Sequence, residues 1–313
     1  MPTIVLSAAD RPPDECRGGA VTVGNFDGVH RGHASLMAAL QEAGRRVGGP
    51  AIAVTFDPHP LTLLAPGRIS APLTTLADRA ELLQAAGADA VVVLRTTPEL
   101  LAIQARDFLA DVLGDRFGVK AVVEGYNFRF GQKRAGDVQL LTDWCETKGV
   151  ELTIVPPLLH QGEPVSSGRV RAALSVGDVT AAFKLLGRPY RLRGVVGTGA
   201  RRGHLLGFPT ANLDPSETLI PGDGVFAARA VVDGKQWPAA VNIGPNPTFG
   251  ESVSKVEAHL IGFDGDLYGR TLALDFIARM RGLQKFAGPE ALIEQLRHDV
   301  AEANRLTGER ASP

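Results

Sequence analysis

The sequence is poor in cysteine, in aromatic residues and in net charge, and each shortage narrows what the chain can be. Its two cysteines, Cys16 and Cys145, stand far apart and outside any paired-thiol or zinc-ligand spacing. That argues against a disulfide scaffold or a structural zinc site and leads us to expect reduced thiols in a cytoplasmic protein. The formal net charge of -1, from 33 basic and 34 acidic residues, offers no global field to a nucleic acid or an anionic membrane. An anionic ligand must therefore be caught locally. Aromatic residues make up 6% of the chain, which leaves few stacking platforms for single-stranded nucleic acid. No apolar run approaches the length of a membrane span, and MPTIVLSAADRPPDE at the amino terminus lacks a basic lead. Neither an anchor nor a signal peptide is expected. The Walker pattern G-x-x-x-x-G-K-[ST] is missing as well.

What the chain does have is ample core material, 44% hydrophobic over 313 residues, enough for two domains. Up to about residue 186, β-rich runs (AVTVG at 20–24, AIAVTF at 51–56, AVVVL at 90–94, AVVEG at 121–125, ELTIV at 151–155) alternate with helical periodicity. The clearest helix carries Leu36, Leu40, Ala43 and Val47 on one face and closes at Gly48 and Gly49. Alternation of this kind predicts a parallel sheet covered on both faces, with ligands beyond the carboxyl ends of its strands. After LLGRPY at 185–190, β-rich runs succeed one another, with Asp-Gly hairpin signals at 233–234 and 264–265. An antiparallel barrel is expected there, closed by one helix after Pro289 with Leu292, Leu296, Val300 and Ala303 on its apolar stripe, and a frayed tail after Thr307. The predicted fold is therefore α/β, a parallel-sheet domain over 1–186 followed by a barrel domain over 187–313. The sequence carries no signal for an oligomeric state.

The stretch VTVGNFDGVHRGH at 21–33 sits where a strand gives way to a helix. Gly24 and Gly28 let the backbone approach a ligand closely, and a helix beginning near Arg31 offers unpaired N–H groups and the positive end of its dipole. His30 and His33, three residues apart, share one helical face and can donate to phosphate oxygens. An isolated H-x-x-H could equally be half a metal site or a packed pair. Set among glycines at a strand-to-helix junction, it reads as a phosphate site.

GNFDGVHRGH resembles the nucleotidyltransferase signature of the bifunctional riboflavin kinase/FMN adenylyltransferases, the bacterial FAD synthetases. FDPHP at 56–60, GYNFRFG at 125–131 and SSGRVR at 166–171 come next in the family's order. GFPTANL at 207–213, VNIGPNPTF at 241–249 and VEAHL at 256–260 are similar to its flavokinase module. The resemblance implies a Rossmann-like nucleotidyltransferase domain and a flavokinase barrel acting on ATP, riboflavin and FMN. It implies that His30 and His33 contact the ATP phosphates in a pocket shaped by Gly24, Phe26 and Gly28, that Asn127 holds FMN, and that Ser167 and Arg171 steady the phosphates. It further implies flavin contacts from Asn242 and Thr248.

The residues themselves add detail. Phe128 beside glycines is a wall for a flat ring, although an aromatic pair alternating with polar residues is also what a strand edge shows. Pro58 sits in a turn stiffened by two prolines that borders the flavin. Thr210 and Asn212 in PTAN are hard oxygen donors suited to Mg2+. GTGARRG at 197–203, with Gly197, Gly199, Arg202 and Gly203, offers flexible backbone and arginines to clasp ATP. The alternation in VEAHL puts Glu257 opposite Val256 and Ala258, as a general base for the ribityl 5′-hydroxyl. Two other readings compete. Arg188, Arg191, Arg193, Arg201 and Arg202 fall in an acid-free stretch that could bind single-stranded nucleic acid, and the first half alone would suit another phosphate ester with the barrel as a binding module. Neither accounts for PTAN together with VEAHL, so no nucleic-acid or membrane partner is expected.

Two positions depart from the family pattern. Leu283 replaces a common glutamate, and Gly168 stands where the family carries threonine. If the missing hydroxyl weakens the hold on phosphate, Gly168→Thr should lower the Michaelis constant for ATP in FAD formation from FMN, as steady-state kinetics would read. An unchanged constant would mean that the hydroxyl has no place in ATP binding here.

Overall fold

A computed structural model of the chain describes residues 3–7, 9–67, 71–198, 207–214, 218–245 and 255–309. Two compact units form, one within residues 1–70 and 74–166, the other within 71–73 and 167–313. This division falls ahead of the 186/187 boundary expected from sequence. Helices α7 (Ser167–Ser175) and α8 (Val179–Leu186) group with the second unit, where α8 packs on strands of the barrel.

The first unit is a six-stranded parallel sheet in the order β1-β4-β3-β2-β5-β6. Its strands are β1 (Thr3–Leu6), β2 (Ala20–Val23), β3 (Ala51–Asp57), β4 (Ala90–Arg95), β5 (Ala121–Gly125) and β6 (Glu151–Val155). The five expected strands are present; β1 is additional and extends the edge beside β4. The valine-rich runs suit a sheet buried on both faces. Alternate side chains feed two cores. Val21, Val23, Ile52, Val54, Val92 and Val122 pack with Leu113, Phe117 and Leu141, whereas Ala53, Val91, Val93 and Val123 face Leu36, Met37 and Leu40 of α1 (Arg31–Val47) and Leu83 of α3 (Leu76–Ala85). Gly48 caps α1 in the left-handed region. Helices α2 (Pro60–Leu64), α4 (Pro98–Ala102), α5 (Ala105–Asp107) and α6 (Val138–Lys148) and the small antiparallel pair β7 (Leu159–His160) and β8 (Glu163–Pro164) also belong to this unit.

From β2 the chain steps outward through β3 to β4, then returns to place β5 on the other side of β2. The switch point therefore lies between β2 and β5. Their ladder holds only Ala20–Ala121 and Val21–Val122, yet β2 stays paired to β3 as far as Val23–Val54 and β5 to β6 as far as Gly125–Val155. Into the gap goes the side chain of Glu124, 2% exposed, whose Oε1 accepts the Val23 N–H at 2.7 Å.

The second unit is a closed barrel in the order β10-β13-β12-β11-β14-β9, with β9 (Tyr190–Gly197), β10 (Ala211–Leu213), β11 (Gly224–Val232), β12 (Lys235–Gly244), β13 (Lys255–Leu260) and β14 (Thr271–Arg281). Phe226 and Phe276 meet edge to face at 5.4 Å, both fully buried. Asp233-Gly234 makes the tight β11–β12 turn, with both residues at positive φ. Asp264-Gly265 does not make a hairpin: β13 and β14 are not neighbours, and the pair lies inside the longer connection 261–270 that carries the chain between them. The closing helix Pro289–Glu309 packs over β11, β12 and β14 and runs past Thr307, whose hydroxyl donates to the Ala303 carbonyl at 2.7 Å. Its stripe seats Ala303 fully and Leu292, Leu296 and Val300 partly.

Burial pushes the Glu124 carboxyl well above its ordinary 4.5, against the opposing pull of the Val23 and Gly125 N–H groups. The native state thus holds the proton more tightly than the unfolded chain, so this group's contribution to stability is complete below the ordinary carboxylate range and is lost as pH rises through the raised value. Glu124→Gln removes the titration. Thermal unfolding measured from about pH 4 to about pH 9 should show a smaller loss of Tm with rising pH in Glu124→Gln than in the parent chain; parallel curves would contradict the buried, proton-retaining carboxyl.

Candidate functional site

The loop after β2 is built around a close approach and a strained turn. Gly24 N–H donates to the Val54 carbonyl at 3.0 Å and extends the β2–β3 ladder by one residue. A Cβ at Gly24 would lie 2.9 Å from the Phe26 ring, so the ring rests where a side chain would be. Phe26 takes φ +46, Gly28 φ +80 and Val29 φ +37. A β-branched residue in that region is an outlier, and such strain concentrates at working sites. The loop is held by Thr74: its N–H and hydroxyl both donate to Asp27 Oδ1 at 3.3 Å, and its Oγ1 accepts the Gly28 N–H at 3.3 Å. Asp27 is 4% exposed. Neither Thr74 nor the anchoring role of Asp27 carries a sequence signal, because the partners lie more than forty residues apart.

His30 is the N-cap of α1, one residue ahead of the helix proper, and its Nδ1 accepts the His33 N–H at 3.2 Å. That bond leaves Nδ1 without a proton and fixes the neutral ring as the Nε2–H tautomer, a donor. The His30 and His33 rings stack with centroids 3.6 Å apart and planes at 17°, and Phe26 meets His33 edge on at 5.3 Å. His30 is 6% exposed. The expected shared helical face is thus realised as a stack, with His30 one residue outside the helix and His33 inside it between His30 and Phe26.

Pro58 lies just past the carboxyl end of β3, where its carbonyl accepts the Thr96 hydroxyl at 2.5 Å. Asn127 and Phe128 lie just past β5, with Asn127 exposed and its Oδ1 near Gly125. Gly24 to His33, Pro58 and Asn127–Phe128 therefore share one edge of the sheet, at the carboxyl ends of β2, β3 and β5. The 126–136 segment is a loop closed by one bridge between Phe130 and Gly136, not a strand; Phe128 stacks on Phe130 at 5.1 Å and Phe130 is buried in the core. Ser167 and Arg171 lie four residues apart on α7, which groups with the second unit.

In the barrel, register does the assembling. Asn212 pairs with Glu257 across β10–β13, Asn242 with Glu257 across β12–β13, and Gly197 with Asn212 across β9–β10. Directly opposed residues project from the same face with Cβ atoms about 5 Å apart. Their neighbours Ala211, Leu213, Val241, Ile243, Val256 and Ala258 are buried inside the barrel, so the row lies on the outer face. A Cβ at Gly197 would fall 2.7 Å from both carboxylate oxygens of Asp214, a residue that no sequence motif marks. Asn242 Nδ2 is buried without a hydrogen-bond partner among the described residues, a donor that a bound ligand can satisfy. His259 Nδ1 donates to the Pro209 carbonyl at 2.8 Å and meets Phe208 edge on, which ties the PTAN turn to β13. Leu283 covers Gly244, where a Cβ would lie 2.5 Å from its Cδ1. Gly199, Arg202, Gly203 and Thr248 lie outside the described residues.

The donors Thr210 and Asn212 are neutral hard oxygens, and no cluster of three or more His, Cys, Asp or Glu occurs among the described residues. A sparse oxygen set of this kind fits magnesium, which keeps most of its coordination for phosphate and water; it does not fit zinc.

The first unit has the layout of a nucleotide-binding sheet, with a glycine- and histidine-rich loop at its switch point, and the second presents an amide–carboxylate row on a closed barrel. Comparison with known proteins agrees. The chain matches the FAD synthetase family over residues 13–169 and the riboflavin kinase family over 186–307. It is 38% identical to the bifunctional riboflavin kinase/FMN adenylyltransferase of Pseudomonas fluorescens, covering 93% of this chain and 94% of that one. The enzyme of the same name from Escherichia coli K12 is 36% identical over 97% and 96%, and that of Bacillus subtilis 32% over 91% of each. The chain belongs to the bifunctional riboflavin kinase/FMN adenylyltransferase family. A solved structure titled a macrolide-efflux protein from Streptococcus pneumoniae matches with a TM-score of 0.86 at 28% identity, over 96% of this chain and 99% of that one. No helix among the described residues is long and apolar enough to cross a membrane.

Thr74→Val keeps the shape and removes the hydroxyl that joins Asp27 to Gly28. Losing a donor to a buried carboxylate costs about 1–3 kcal/mol, so denaturant unfolding of the first unit should shift by that amount. An unchanged midpoint would remove Thr74 as the clamp of this loop.

Proposed function

We propose that the chain makes FMN from riboflavin on its barrel and FAD from FMN on its parallel-sheet unit, with ATP as the second substrate in each step and the functional division at 186/187. The observation that carries the kinase assignment is the Asn212–Glu257–Asn242 row, three polar groups brought to one face by register alone.

In the kinase step the ribityl 5′-hydroxyl gives its proton to Glu257 as its oxygen bonds to the γ-phosphorus of ATP. The bond from that phosphorus to the bridging oxygen breaks, and ADP leaves. Asn242 donates to the flavin or the travelling phosphoryl group, with Thr248 as a further flavin contact. Gly197, Gly199, Arg202 and Gly203 close on ATP. Magnesium, when bound, would draw charge from the phosphate oxygens; Thr210 and Asn212 would hold it.

In the adenylyl step an oxygen of the FMN phosphate bonds to the α-phosphorus of ATP as the bond to the bridging oxygen of the β-phosphate breaks, and pyrophosphate leaves. The nucleophile arrives already ionised, so the protein supplies alignment and charge stabilisation instead of a base. His30 donates from Nε2 to a phosphate oxygen, supported by the stacked His33, while Gly24, Phe26 and Gly28 shape the nucleotide pocket. Pro58, Asn127 and Phe128 border the flavin, and Ser167 and Arg171 are further phosphate contacts.

The partners are then small molecules. The bidentate pairing of Arg191 with Asp275, both contacts at 2.6 Å, supports a reading without nucleic acid, since it commits one of the arginines that could have formed a basic rim. Two buried free thiols, Cys16 and Cys145, suit a cytoplasmic, reducing setting without a membrane partner.

A positioned general base contributes a factor of about 10^2 to 10^4. Glu257→Ala should lower FMN formation by that factor and leave FAD formation from supplied FMN within about twofold. Loss of both activities in a folded variant would break the assignment of one step to each unit.

A further inference from the structure

Glu124 belongs to no part of the chemistry above, yet it is an acid sealed inside the ligand end of the sheet. Its strand context explains what it does there. Backbone N–H groups along a strand alternate between neighbours, and on β2 the pattern is explicit: Ala20 and Gly24 donate toward the β3 side, to the Pro50 and Val54 carbonyls. Val23 accordingly points its N–H at β5. The β2–β5 ladder has already ended two residues earlier, at Val21–Val122, so no β5 carbonyl is in register to receive it. Glu124 Oε1 takes it at 2.7 Å. The Gly125 N–H also acts on the same carboxyl, from the β5 side.

The Glu124 side chain therefore ties Val23, the last residue of β2, to the end of β5, one residue ahead of Gly125, where the two strands have parted. Each of those two residues opens a ligand loop. Val23 leads directly into Gly24 and the strained Phe26–Val29 turn that presents His30. Gly125 leads directly into Tyr126 and Asn127, and its carbonyl accepts the Phe128 N–H at 3.0 Å. The first loop serves the nucleotide and the second the flavin. At 2% exposure the carboxyl is closed off from bulk solvent.

We infer that Glu124 is a positioning residue for adenylyl transfer, a carboxyl strut that sets the distance between the nucleotide loop after β2 and the flavin loop after β5. The inference rests on the assignment of FMN adenylylation to this unit. In-line transfer is sensitive to the separation of nucleophile and phosphorus, so loss of the strut falls on kcat for FAD formation and only weakly on either KM. A residue that merely fills space would be replaced without penalty by a side chain of equal length.

The test uses the full chain and three proteins: the parent, Glu124→Gln, whose amide oxygen can still accept the Val23 N–H, and Glu124→Met, which keeps the length and offers no oxygen acceptor. FAD formation from FMN and FMN formation from riboflavin are measured on each preparation, with circular-dichroism melting to fix the folded fraction. An unpaired buried N–H weighs enough to displace a loop. We expect Glu124→Met to lose about tenfold or more in kcat per folded molecule, Glu124→Gln to stay within about threefold of the parent, both KM values to move less than about threefold, and FMN formation to hold in all three. Glu124→Met turning over at the parent rate would overturn the inference, as would Glu124→Gln falling as far as Glu124→Met. If Glu124→Met does not fold, Glu124→Gln decides: retention within threefold supports the strut and a larger loss overturns it. A parent chain that makes no FAD from FMN would remove the assignment beneath the inference, a result distinct from any difference among the variants.

Discussion

A strand in the middle of a parallel sheet needs a neighbour on each side for its backbone, and at the switch point between β2 and β5 one of those neighbours turns away. That parting shapes the carboxyl end of the first unit's sheet. It opens the crevice in which α/β sheets bind ligands, and it frees the chain after Val23 to fold into a tight loop over Gly24. It also creates an unpaired backbone donor, and the fold answers with an acid from β5. The same logic of satisfied donors recurs a few residues on, where His30 accepts from the first turn of α1 and is thereby left with its proton on Nε2. Thr74, reaching in from a separate segment, closes the loop by bonding Asp27 and Gly28 at once.

The barrel solves a different problem. Closure fills its interior with Phe226, Phe276 and their neighbours, so no chemistry can sit inside. The polar row of Asn212, Glu257 and Asn242 lies on the outer face instead, where the alternation of each strand puts it. Asn212, Asn242 and Glu257 come from three strands, β10, β12 and β13, and meet because antiparallel register sets them opposite one another. His259, two residues along β13 from Glu257 and so on the same face, secures the PTAN turn beside them.

The legible parts of this molecule are those governed by local rules. β-rich runs mark five strands, Gly48 marks the end of α1, and Asp233-Gly234 marks a hairpin, because each depends on neighbours within a few residues. Features that depend on distance are not legible in this way. TIVL, the β1 edge strand, has an alternating, half-exposed pattern that only its pairing with β4 makes meaningful. Asp264-Gly265 carries the same turn chemistry as its counterpart but joins strands that are not neighbours. The segment around Asn127 and Phe128 alternates like a strand edge, yet Phe130 turns into the core and Phe128 stacks on it. Of the candidate site, the histidines and the PTAN–Glu257 pairing are readable from motifs; Thr74 and Glu124 are not, since a lone threonine and a glutamate at a strand end have no pattern until the partner segment arrives. Asp214 likewise becomes visible only where it fills the space beside Gly197.

Two separate sites on one chain make a sequence of reactions directly observable. Purified protein incubated with riboflavin, ATP and Mg2+, and in parallel with FMN, ATP and Mg2+, can be followed by chromatography of the flavins. FMN should appear first and FAD after it in one vessel, and FAD alone in the other. Riboflavin and FMN both returned unchanged, from protein shown to be folded, would contradict the assignment of two consecutive transfers to this chain.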